Sequence, residues 1–185
     1  MFALLLILMT ALAALTAIAQ RPSSPAASPQ TEIVPASCTL TPRPAREFIP
    51  PAGYHPEKLP TNFFYIGSEK LWTAIREPMV WQWRPHKPGH ELDLTAEIFW
   101  YRVGYNWHTE SVPKLRVTGR RLDGPAAPLM TPQGPATNAI IDSERGAMLT
   151  GVYVPTPGCW EITGDYEGNK LSFVVWVEQP SRPEQ

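Results

Sequence analysis

A chain of 185 residues with a formal net charge of −1 carries no basic surplus with which to engage nucleic acid or an anionic membrane surface. Only 18% of its residues are charged, yet it contains seven Trp and 22 Pro. Such a chain must bury aromatic area, and its Pro density excludes long helices.

Residues 1–19 hold no charged side chain, are dominated by Leu, Ala, Ile and Met, and close on Ala17-Ile18-Ala19. Polarity begins at once with Gln20-Arg21-Pro22. This is the layout of a cleavable secretory signal peptide, with the mature chain starting at Gln20. Two features pull the other way: no Lys or Arg precedes the apolar run, and the run just reaches the roughly 18 residues that span a bilayer. An uncleaved N-terminal membrane anchor is therefore the alternative. On either reading the remainder lies outside the cytoplasm, secreted, periplasmic or at the cell surface, with no membrane contact beyond this segment.

Pro is concentrated between Gln20 and Pro60, where no Trp occurs, and all the Trp lie between Trp72 and Trp176. Residues 20–37 form a Pro/Ser/Ala linker expected to be disordered or polyproline II. Residues 38–60 read as an extended arm laid along the domain. The cysteines are Cys38 and Cys159. An even count in an oxidising compartment reads as one disulfide, which would tether that arm.

From residue 61 the pattern is strand after strand. Residues 62–66, 70–75 and 79–83 are short, aromatic and branched. Residues 95–102 follow a Lys87-Pro88-Gly89 break. In 114–119, Leu115 and Val117 alternate with Lys114, Arg116 and Thr118, as in a strand with one wet face. A Pro/Gly-rich loop over 123–137 follows, one helical turn is conceivable within 136–145, and 147–154 is a further strand. The stretches 158–163 and 171–177 flank a polar turn, 164–170, and predict a β-hairpin. In it Trp160 and Ile162 share one face, as do Leu171, Phe173, Val175 and Val177. Val174 and Trp176 point the other way, and the arm is the natural cover for them. The reading for 61–178 is an all-β, immunoglobulin-like two-sheet β-sandwich, with 179–185 as a disordered tail.

The sequence GCWEITG at 158–164, LSFVVW at 171–176, GSEKLWT at 67–73 and TGRRL at 118–122 together resemble an uncharacterised family of secreted bacterial proteins. The resemblance covers roughly residues 38–178, including both cysteines. It implies export and an immunoglobulin-like sandwich, and it carries no activity or active site.

Chemistry is sparse. No Gly-x-Ser-x-Gly nucleophile turn occurs. His86 and His90 stand four apart, the spacing at which a helix stacks two imidazoles on one metal, but Pro88 and Gly89 between them oppose a helix, so solvent-facing loop histidines are the stronger reading. No cofactor is indicated. The aromatics are more suggestive: Trp81, Trp83, Trp100, Tyr101, Tyr105 and Trp107 cluster beside Arg84, Arg102 and His108. Ile98 with Trp100, and Met79 with Trp81 and Trp83, read as sandwich core. Tyr105, Trp107 and His108 follow a strand through Gly104 and are the candidate exposed binding tip. Two functions from different classes follow. One is a non-catalytic envelope module, structural or protein-binding. The other is a carbohydrate-binding module that stacks sugar on exposed rings of the 81–108 region.

Overall fold

The computed structural model describes residues 34–54, 59–85, 89, 93–132, 134, 136–139 and 146–180. The strands in chain order are β1 (Phe63–Ser68), β2 (Leu71–Arg76), β3 (Val80–Gln82), β4 (Ala96–Tyr101), β5 (Leu115–Arg121), β6 (Thr137–Ala139), β7 (Ala147–Val152), β8 (Gly158–Tyr166) and β9 (Asn169–Glu178). No helix occurs among the described residues. The period-2 pattern decides which way each strand faces. In β5, Leu115 and Val117 are buried while Arg116, Thr118 and Arg120 are exposed.

These strands form a five-stranded sheet, ordered β1-β2-β4-β7-β6, and a four-stranded sheet, ordered β3-β9-β8-β5. All pairings are antiparallel except β3 with β9. The inner residues of both sheets merge into one core. Phe64, Ile75, Ile98, Trp100 and Met148 come from the first sheet; Leu115, Trp160, Ile162, Phe173 and Val175 come from the second. Trp100 lies so close to β8 that a Cβ on Gly164 would stand 2.4 Å from its ring. Only glycine lets the indole pack against that strand.

The last hairpin has the predicted faces: Trp160, Ile162, Phe173, Val175 and Val177 all enter the core. Its turn is shorter than expected. Tyr166 pairs with Asn169, leaving Glu167 and Gly168 with φ of 50° and 86°, a two-residue connection with both residues left-handed. Gly164 therefore belongs to the strand rather than to the turn.

Two further differences concern weak local signals. The possible helical turn in 136–145 is replaced, over its described part, by β6, which pairs Thr137, Asn138 and Ala139 with Leu149, Met148 and Ala147. Tertiary pairing with a buried neighbour overrides a segment that has no periodicity of its own. The loop after β5 is also structured: Leu129 is buried, its N–H donates to Gly119 O (3.4 Å), and Met130 bridges to Tyr153.

The arm is tied as expected and then goes further. Cys38 and Cys159 form a disulfide across a sequence separation of 121, with Cα atoms 5.6 Å apart. Closing a loop of that size stabilises the fold by about 4–5 kcal/mol on chain-entropy grounds. Thr41 N–H donates to Val174 O (3.1 Å) and Thr41 Oγ1 accepts from Val174 N–H (2.7 Å). Val34, Leu40, Val80 and Val174 pack around Cys38, Cys159 and Trp176. The chain then passes the sandwich end, where Arg43 pairs with Glu77 (3.1 Å) and lies over the Phe64 ring (4.9 Å). Phe48 and Tyr54 finally pack on Trp72, which stacks on Tyr101 on the outer face of the five-stranded sheet. One arm thus covers apolar groups on the outer faces of both sheets.

Candidate functional site

The segment joining β4 to β5 is held down from both ends. Val103 N–H donates to Glu69 O (2.9 Å) and Gly104 N–H to Tyr54 Oη (2.9 Å). Asn106 organises the next turn: its carbonyl accepts from Thr109 N–H and Glu110 N–H, and its side-chain oxygen accepts from His108 N–H (2.9 Å).

Tyr105 departs from the expected exposed tip. It is 2% exposed, belongs to the main core, and donates its hydroxyl to Asn138 Oδ1 on β6. Burial, reinforced by neighbouring Glu110 and Tyr166, pushes its hydroxyl up to about 12. The amide of Asn138 donates in turn to the carbonyls of Glu110 (3.0 Å) and Ser111 (3.1 Å). Asn138 therefore fastens the whole segment to the edge of the five-stranded sheet.

Trp107 is half-buried against the core, and His108 is exposed beside it. Their rings stack at 3.7 Å between centroids and 29° between planes. A Cβ on Gly146 would stand 2.8 Å from Trp107 Cδ1, so one edge of the indole is closed against the residue that precedes β7 as well. The structure brings Trp107 and His108 together and turns Tyr105 away from them. With His108 on one face and β7 against one edge, much of the indole is committed to internal contacts.

A charged group beneath this segment has no signature in the sequence. Glu110 Oε2 accepts from Tyr166 Oη (2.5 Å) and Glu110 Oε1 from Lys114 N–H (2.7 Å). Arg102 lies over the Tyr166 ring at 4.5 Å and reaches Glu167 at 3.7 Å, and Lys114 pairs with Glu167 at 2.6 Å. Burial and the bond to Glu110 raise the Tyr166 hydroxyl. The bond between Lys114 and Glu167 raises the amine and lowers the carboxyl. These partners come from two segments, 102–114 and 166–167, separated by up to 65 positions, so only the fold assembles them.

Two concavities lie elsewhere. One of about 300 Å³ sits where β2 and β4 part, after pairing only through Trp72 with Tyr101 and Thr73 with Trp100. Trp81, Phe173 and Ile98 line it together with Arg76, Arg84 and Glu97. The other, of about 490 Å³, runs beside β5 and is lined by residues 113–118 and Thr131. His86 and His90 lie outside the described residues, among which no cluster of three or more His, Cys, Asp or Glu is placed to hold a metal. Residues 1–33 also lie outside them, and no described helix is long and apolar enough to cross a membrane.

Comparison of the chain with protein-family models, with curated proteins and with solved structures finds no match.

Proposed function

We propose that the protein is an exported, non-catalytic module with an immunoglobulin-like arrangement of its two sheets, serving as a structural or protein-contacting element of the cell envelope. The observation that carries this reading is the Cys38–Cys159 disulfide. Such a bridge persists where thiols are oxidised, and here it locks the arm over Trp176, so the fold depends on that environment. The uncharged 1–19 segment ending at Ala17-Ile18-Ala19 supports the same compartment. Intact-mass analysis of the exported protein tests it. The expected species begins at Gln20 and shows no reactive thiol after denaturation. A full-length chain in the membrane fraction would keep the compartment and convert the signal into an anchor. A cytoplasmic chain with two reactive thiols would overturn the reading.

A carbohydrate-binding role is the second reading, favoured by the surface stack of Trp107 and His108. It requires retention on a polysaccharide that Trp107→Ala abolishes.

A further inference from the structure

The walls of the cleft between β2 and β4 carry charges that the described chain does not use. The two strands pair at Trp72 with Tyr101 and at Thr73 with Trp100, and the Thr73 hydroxyl then donates to Phe99 O (2.7 Å). Three residues further on, the same register would set Arg76 opposite Glu97. The strands part first, and no ion pair joins the two side chains, although both line the cleft. Glu77, next to Arg76, is committed to Arg43 (3.1 Å). Arg84, beyond β3, also reaches the cleft and has no ion pair among the described residues. Arg76, Arg84 and Glu97 are all exposed.

The uncharged polar side chains of the lining are already occupied. Gln82 donates to Glu178, and Thr95 Oγ1 accepts from Val154 N–H (3.0 Å). Below the rim, the surface that a ligand can reach is apolar: Phe63, Ala74, Trp81 and Ala96 are each half-buried. Ile98 and Phe173 close the cleft behind them, and Phe173 holds the Trp81 ring edge to face at 6.1 Å. The enclosed space is about 300 Å³.

We propose that this cleft binds a small organic monocarboxylate with an apolar ring for its body, the ring entering against Trp81 and the carboxylate staying at the mouth with Arg76 and Arg84. A concave, mainly apolar site with a few charged groups at its rim is what a molecule of one or two rings requires. Two Arg against one Glu give the rim a surplus of positive charge. A guanidinium also matches a carboxylate in planar, two-point geometry. Glu97, on the wall facing Arg76, opposes a second anionic group on the ligand. A neutral sugar fits less well, because its hydroxyls need uncharged polar partners and those of the lining are taken. The inference goes beyond a structural or protein-contacting role and does not depend on the compartment.

The test uses the disulfide-intact chain and three probes: 3-phenylpropionate, its amine twin 3-phenylpropylamine, and acetate as the head group alone. Binding is read from the Trp81 indole N–H resonance, assigned with Trp81→Phe, and from the backbone amides of Ala74 and Glu97. For a ligand of this size the carboxylate should saturate these signals with a Kd of about 1 mM. The amine and acetate should each bind at least about threefold more weakly. Replacing both Arg76 and Arg84 by Gln, at exposed positions that leave the fold intact, should weaken 3-phenylpropionate at least about threefold. Glu97→Gln should not weaken it. Absence of a saturable shift, an amine or acetate that binds within threefold of the carboxylate, or a double Arg variant that binds within threefold of the native chain would each overturn the proposal. So would shifts of these signals that follow protein concentration with no probe added, which would assign the cleft to a second copy of the chain.

Discussion

The β4–β5 segment and the far edge of β5 adjoin in sequence and differ in almost every respect. The first is conspicuous, with Tyr105, Trp107 and His108 in a row, yet its groups are committed to the protein itself: Tyr105 to Asn138, Trp107 to His108 and the core, Glu110 to Tyr166. The second is plain, a short alternation of Leu115, Arg116, Val117 and Thr118, yet at Leu115 and Val117 its far side has no backbone partner among the described residues. Aromatic side chains are costly to leave in water, so a small sandwich draws them inward wherever it can. Backbone groups have no composition signature, and their availability depends only on where a strand falls in its sheet.

The contrast is broken most forcefully at Tyr105. If the ring is core, Tyr105→Ala should cost about 3–5 kcal/mol in chemical denaturation. A cost near zero would return Tyr105 to solvent. Asn138→Ala comes next: it strips the Tyr105 hydroxyl of its acceptor and two carbonyls of a donor. It should cost about 1–3 kcal/mol, read from the denaturation midpoint at unchanged slope.

Alkaline titration sharpens the same point. The folded Tyr105 hydroxyl lies at about 12, above its ordinary 10.0, and Tyr65 is likewise raised to about 12 by burial. Stability from keeping these rings neutral is complete below pH 10 and is lost as pH rises from 10 towards about 12. Tyr105→Phe should therefore flatten the fall of stability across that window. An unchanged slope would mean that Tyr105 ionises freely in the folded state. The smallest effect is expected at the edge: Arg116→Ala should change stability by less than about 0.5 kcal/mol, because that side chain is exposed and has no ion pair among the described residues. A loss comparable to that of Asn138→Ala would show that Arg116 is structural.

Much of the fold was legible because its signals are local. The alternation of Leu115 and Val117, the shared face of Phe173, Val175 and Val177, and the opposite facing of Val174 and Trp176 follow from a period of two. The Cys38–Cys159 pairing followed from a count of two cysteines read together with the signal-like apolar run at residues 1–19. What stayed hidden depends on partners distant in sequence. β6 is a strand because β7 pairs with it. Gly164 looked like a turn glycine because nothing local reveals the Trp100 ring above it. Tyr105 looked exposed because it lies in no period-2 run, and its acceptor Asn138 is 33 positions away. The position of β5 at the edge of its sheet was the least legible, since it depends on the order of strands rather than on any residue in the strand.

Residue-resolved amide exchange on the free, disulfide-intact protein tests this division most directly. The Val117 amide, which has no backbone partner among the described residues, should exchange much faster than those of Arg116 and Thr118, although all three lie in one strand. Uniform protection across the three amides would show that the far side of β5 is already bonded within the chain, and would contradict an unpaired far side.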